Sequence, residues 1–405
     1  MSAFFTAADL HPCRFLRETP AASYLLARTL RVHPNGRLSL DTVHWLFEEF
    51  RQQYNNDLDR VPFEQRPERP GIIINTASST ISYLARFAAQ GRQIFRLEED
   101  LIRMLAATDL DAVRTTDLRL PYSAFYMNFA GGLDYQIPGP PNRIDGAYID
   151  LYEDAHGARS LQIFVTSKLL DGKLLGSAGW ITGQELPLYA SLDLNKDENL
   201  DSALERAVKG GDVPVVADPA SVERLETATR DFEREIGGPV RWAQVTGFEI
   251  EAEHNRLAMP TLRAIVAFVG NALCLLTAAP DATHTVWPND ASRSLVEESR
   301  TGKTTKRRRR ATAQLLDCGF MAVRRLQLAQ DGLTGADRSD EAYHGEVATH
   351  WRRGHWRRQP HGQGLTDRKL MWIRPTLVRG DRGADTKGRI YVVDAPRSTG
   401  ASGSG

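Results

Sequence analysis

The chain of 405 residues is poor in cysteine: Cys13, Cys274 and Cys318 are its only three, far apart, with no Cys-x-x-Cys pair. That excludes a disulfide-dense design and argues against a zinc ribbon or a thioredoxin-type site. Sparse, unpaired cysteine suits a reducing cytosol, where a free thiol acts as a small buried hydrophobe. Long hydrophobic runs are also missing. The most apolar stretch, Ala264–Ala279, falls short of the roughly 20 residues a membrane span needs. Arg263 flanks it and Asn271 interrupts it, so a buried helix is expected there. The opening MSAFFTAADLHPCRF lacks a basic segment followed by an apolar core, the pattern of a secretory signal. The expectation is a cytoplasmic protein with no membrane partner.

Catalytic signatures are absent too. There is no Gly-x-Ser-x-Gly elbow, no His-Glu-x-x-His and no Gly-x-Gly-x-x-Gly. Thr301-Gly302-Lys303-Thr304 imitates the end of a phosphate-binding loop, but Glu297 stands where the first glycine is required. No cofactor is implied and no metal set is complete. The cluster Asp145, Asp150, Glu153 and Asp154 reads as surface acid, and Cys318, beside an apolar helix stripe, reads as buried.

What the chain does have is separated charge. Residues 1–300 carry 30 Lys and Arg against 41 Asp and Glu, whereas residues 301–380 carry 17 against 7. An acidic body with a basic C-terminal block speaks to partners rather than to fold. The block suits nucleic acid, a ribosome or an acidic protein surface, or it docks on the body itself.

Apolar spacing gives the organisation. Leu38–Tyr54 and Ile81–Ala107 have helical periodicity, the second interrupted at Gly91, with the proline-bearing Val61–Gly71 between them as a linker. Leu118–Phe129 alternates, setting Ala124, Tyr126 and Asn128 opposite Phe125, Met127 and Phe129. Ala147–Tyr152, Ser160–Thr166 and Leu186–Leu192 read as further strands. The gaps between them are too short for crossover helices, so an antiparallel sheet is expected. Helices are expected after Asp218-Pro219 and over Leu262–Thr277. Residues 288–309 read as a flexible connection, Thr312–Leu328 as a helix, and Val347–Arg358 with Lys369–Val378 as a hairpin, Arg389–Val393 adding a possible third strand. The fold class is α+β: a helical region over 1–110, an α+β core over 117–287, a basic flexible connection over 288–311, a helix with a basic β-hairpin over 312–395, and a disordered tail over 396–405.

The most unusual stretch is His350-Trp351-Arg352-Arg353-Gly354-His355-Trp356-Arg357-Arg358, followed by Met371-Trp372-Ile373-Arg374-Pro375. Strand alternation puts Trp351, Arg353, His355 and Arg357 on one face and His350, Arg352, Trp356 and Arg358 on the other. Guanidinium forks grip phosphate and indoles stack bases, which suggests an RNA-binding strand pair. The alternative is Arg–Trp stacking within the fold, with the arginines paired to acids of the body. The candidate binding residues are His350, Arg352, Arg353, His355, Trp356, Arg357, Arg358, Trp372 and Arg374. His355 is also the candidate general base of a ribonuclease. Lys306, Arg307, Arg308, Arg309 and Arg310 form a run suited either to solvation or to nonspecific phosphate contact.

The stretch from His350 to Trp356, with Trp372-Ile373-Arg374-Pro375 and Val378, resembles the C-terminal pattern of an anti-CRISPR family, the second described against type V-A systems. Leu120–Tyr126 resembles an early strand of that family, and Arg310–Leu328 its arginine-bearing helix. The resemblance implies a phage- or plasmid-borne inhibitor rather than a metabolic enzyme. Its implied partner is the CRISPR effector nuclease or its nascent chain, and its implied mechanism is lowered production of the effector during translation, with loss of the mRNA. A ribonuclease and a non-enzymatic interaction scaffold are the alternatives.

Overall fold

The structure, a computed structural model, describes residues 4–19, 21–58, 70–133, 142–153, 157–169, 174–175, 180–181, 188–209, 248–279, 283–326 and 350–378. The expected linker up to residue 69, the helix after Asp218-Pro219, the loop over 334–345, the strand at 389–393 and the tail lie outside them.

Four helices come first: α1 (His11–Glu18), α2 (Ala22–Val32), α3 (Leu40–Leu58) and α4 (Pro70–Ala89). Pro70 stands at the first position of α4, where a missing N–H costs nothing. Gly91, at φ +87°, closes α4, and the Arg92 N–H returns to the Phe87 carbonyl. The helical spacing of Ile81–Ala107 therefore hides three elements: α4, the strand β1 (Ile94–Leu97) and α5 (Glu99–Ala106). All four residues of β1 are buried, so it shows no polar alternation to betray it.

Next come β2 (Thr108–Asp109), β3 (Ala124–Leu133), β4 (Asn142–Glu153), β5 (Arg159–Leu169), the short pair β6 (Leu174–Leu175) and β7 (Trp180–Ile181), and β8 (Leu188–Asp193). Then follow α6 (Leu200–Lys209), the long α7 (Phe248–Ala278) and β9 (Thr283–Val286). Where composition suggests a flexible connection, the chain instead forms a helical hairpin of α8 (Arg293–Thr301) and α9 (Thr305–Asp317). The expected helix over Thr312–Leu328 stops early. Gly319 at φ +78° gives the left-handed turn, closed by Gly319 and Phe320 N–H bonds to the Leu316 and Leu315 carbonyls. The chain then leaves as β10 (Val323–Leu326). Cys318, at this end, is exposed rather than buried, because the helix stops under it.

Seven strands form one sheet in the order β8-β5-β4-β3-β1-β10-β9. The β3-β4-β5-β8 meander is antiparallel as read, while β1 and β10 add the parallel pairings β3-β1 and β1-β10, making the sheet mixed. Alternation along β3 divides the protein into three layers. Phe125, Met127 and Phe129 face α5, α6 and α7 in one core. Tyr126, with Tyr148 and Phe164 from β4 and β5, faces α1–α4 in the other.

The second core contains a buried polar seam. Arg14 on α1 donates to Asp145 at 2.6 Å and to the Ser167 carbonyl at 3.1 Å. Thr166 donates to the other Asp145 oxygen at 2.7 Å, and His11 shares a 3.1 Å bond with the Tyr148 hydroxyl. Arg86 on α4 meets Asp150 at 3.2 Å. Asp145 and Asp150 are thus not surface acids. They lie on the inward side of β4, where arginines of the first layer neutralise them. Burial pushes the Asp145 carboxyl up, but Arg14 and Thr166 outweigh it and hold it below the usual carboxylate range. Burial dominates at Asp150, whose carboxyl is raised despite Arg86.

Among the described residues, one stretch is long and apolar enough to cross a membrane, Thr261–Ala278 of α7, and 67 % of it is buried within the fold. Burial also pushes the Cys13 thiol up to about 12 and raises that of Cys274, so neither is a nucleophile at neutral pH.

Candidate interaction site on the C-terminal hairpin

The C-terminal hairpin is broken twice. Arg353 interrupts the outgoing strand and Arg374-Pro375 the return, leaving β11 (His350–Arg352), β12 (Gly354–His361), β13 (Asp367–Ile373) and β14 (Thr376–Val378). β11 pairs with β14, while β12 lies between β13 and β2. The expected single alternation across 351–358 therefore does not run through. Within β12 it holds: His355 and Arg357 take one face, Trp356 and Arg358 the other. His350 and Arg352 are placed in β11 by their backbones, paired with Val378 and Thr376.

The inner face anchors the hairpin. Trp356 is 1 % exposed, and its indole N–H donates to Asn271 of α7 at 2.7 Å. Asn271 in turn donates to the Thr108 carbonyl at 2.9 Å. Trp372, directly opposite Trp356, stacks on it at 6.0 Å between ring centroids and donates to the Thr108 hydroxyl at 3.2 Å. Arg374 lies 6.0 Å from the Trp372 ring centre. Arg358 meets Asp117 at 3.2 Å. Asp197 is held below the usual carboxylate range by hydrogen bonds from Arg114 and Thr116, with Arg358 adding a weaker pull. Gly354 permits the close approach of β2, since a Cβ there would sit 2.7 Å from the Thr108 hydroxyl oxygen and 2.8 Å from Pro375. Trp356, Arg358 and, in part, Trp372 thus knit the hairpin to the body, and these two indoles serve as anchors.

The outer face is different. Arg357 is exposed and lies directly opposite Met371, itself 42 % exposed. His355 opposes Ile373, Gln359 opposes Lys369, and His361 opposes Asp367. Arg353, 80 % exposed, reaches only the rim carboxylate Asp109 at 3.7 Å. Arg357 and Lys369 have no carboxylate in ion-pair range among the described residues. The result is a strip of cations and imidazoles around an apolar centre, the chemistry of a wet interface rather than of a sealed pocket. Sequence reasoning missed Lys369, Met371 and Ile373, although their alternate spacing opposite Arg357 was available to find them. His355 has no second imidazole or carboxylate bonded to its ring, and no group of three or more His, Cys, Asp or Glu is placed to hold a metal, both among the described residues.

The second basic feature lies apart from the first in the chain, on α9. Lys306, Arg307, Arg308, Arg309 and Arg310 are all exposed, on its first two turns. Thr304 caps the helix by accepting from the Arg307 N–H at 3.2 Å.

Fold and hairpin together define a three-layer α+β protein with a strip of exposed cations on its C-terminal hairpin. Residues 95–380 match the family described as AcrVA2-like, the anti-CRISPR type V subtype A2 family, and the chain belongs to it. The match opens inside β1 and runs past β14, spanning the sheet, α9 and the hairpin, while α1–α4 precede it. Among solved structures, the crystal structure of AcrVA2 aligns loosely, at 13 % identity and a TM-score of 0.42, over 92 % of this chain and 99 % of that one. No curated protein matches the chain.

Proposed function

We propose that this anti-CRISPR protein acts as a binder, lowering production of a CRISPR effector by engaging its nascent chain, and the RNA beside it, during translation. The contact surface is the outer face of β12 and β13, with Arg357, Lys369 and Met371 at its centre and Arg353 and His355 along its edge. One observation carries the reading: the hairpin turns Trp356 and Trp372 inward as anchors while leaving unpaired cations around an exposed methionine. Cations beside apolar area suit an extended polypeptide bearing acidic and apolar side chains.

The test is a charge reversal that leaves the anchor alone. Arg357→Glu with Lys369→Glu should cut binding to the effector's N-terminal polypeptide by roughly tenfold or more, since each lost contact is worth about 1 kcal/mol. The effector level in cells should recover in parallel. Unchanged binding and unchanged suppression by a correctly folded double variant would overturn the proposal.

A further inference from the structure

The arrangement of α9 runs against what stabilises a helix. Cations are favourable near a helix C-terminus and unfavourable near the N-terminus, where the backbone N–H groups already present positive charge. Here five consecutive cations occupy the first two turns. None has a carboxylate within ion-pair range among the described residues. Ala311 and Leu315 are buried and fix the inner side of the helix. Arg308 folds back, donating to the Gly302 carbonyl at 3.2 Å and to the Thr305 hydroxyl at 3.3 Å. Helical spacing then leaves Lys306, Arg309 and Arg310, at i, i+3 and i+4, on the outward side, with Lys303 exposed in the turn ahead of them.

That side carries no aromatic residue, and its one apolar residue is the exposed Ala313. A protein interface needs apolar area at its centre, and this strip has almost none. A phosphate backbone needs only spaced cations, and arginine forks match phosphate oxygens. We infer that the outward strip of α9, Lys303, Lys306, Arg309 and Arg310, is a docking site for a polynucleotide phosphodiester backbone. It reads charge rather than sequence, because it offers spaced cations and no aromatic ring on which successive bases would stack. The inference deepens the function proposed above by assigning the RNA contact to α9 and leaving the hairpin's outer face to protein.

The experiment measures binding of the full-length protein to a labelled scrambled single-stranded RNA of roughly 20 nucleotides, to the same sequence as DNA, and to duplex RNA, over about 50–300 mM salt. The unmodified protein should bind with a log–log salt slope of about −2 to −3, as three or four phosphate contacts give. Lys306→Glu with Arg309→Glu and Arg310→Glu should lower affinity by roughly 30-fold or more and flatten the slope by about 2. The corresponding Gln triple, which removes the three charges without reversing them, should fall between. Equal loss on RNA and DNA marks pure backbone contact, and loss on RNA alone marks added contact to the ribose; both support the site. No measurable binding by the unmodified protein, or an unchanged slope in both triples, would overturn it, as would a preference for polyglutamate over RNA. Arg357→Glu with Lys369→Glu serves as the second arm. Should it leave effector suppression intact while the α9 triples lose RNA, the hairpin reading falls and the α9 site stands; the opposite pattern removes only the α9 site.

Discussion

Asn271 shows how one side chain changes meaning between sequence and structure. In the sequence it interrupts an apolar run. In the fold it is 3 % exposed and bridges two elements, donating to Thr108 and accepting from Trp356. Asn271→Ala strands the Trp356 N–H and the Thr108 carbonyl in the interior, so about 2–4 kcal/mol of stability should be lost in urea unfolding. A loss below about 0.5 kcal/mol would contradict the anchor. His11 makes a second case. Burial holds its imidazole at about 3, aided by neighbouring Arg14, against 6.5 when unfolded. Between those values the unfolded chain binds a proton that the native state refuses, so stability must fall as pH drops through that window. The lowered Asp145 carboxyl adds to the same trend at the acid end. His11→Gln, which keeps a partner for Tyr148, should flatten stability against pH between about 6.5 and 4, and an unchanged slope would contradict the buried neutral imidazole. Neither role was legible beforehand, because each depends on a partner far along the chain; Asn271 and Trp356 are 85 positions apart, and His11 and Tyr148 are 137 apart.

At the scale of elements, the sequence revealed the strands of the local antiparallel meander and concealed the two that join it by parallel pairing. The alternation of Ala124–Phe129 assigned both faces of β3 correctly, since its two cores differ in polarity. Ile94–Leu97 and Val323–Leu326 defeated it. Ile94, Leu97, Leu101 and Leu105 fall at helical spacing by coincidence, and parallel pairing between segments more than 200 residues apart leaves no local trace. The helix α9 yields a prediction of opposite signs. Reversing Lys306, Arg309 and Arg310 to Glu removes like-charge repulsion and places acids where the helix end favours them. Thermal stability should therefore rise slightly, by about 0.5–2 kcal/mol, while nucleic-acid affinity falls. A destabilised variant would mean that these cations serve the fold.

At the scale of the whole molecule, the opposition of an acidic body and a basic block resolves into two parts. Some of the basic block does dock on the body: Arg358 pairs with Asp117, and Arg325 with Glu98 at 2.7 Å. The cations of α9 and of the outer face of β12 and β13 face solvent. The Arg–Trp pattern was thus visible in sequence, but its division was not. The decision lies with α7, whose surface claims Trp356 and so turns Arg357 outward. The most direct test is to compare the unmodified protein with Arg357→Glu plus Lys369→Glu for capture of the effector's N-terminal polypeptide, with unfolding followed in the same samples. The predicted result is capture reduced by roughly tenfold with the unfolding midpoint unchanged. Full capture by the double variant would show that the outward cations of the hairpin do not hold the partner.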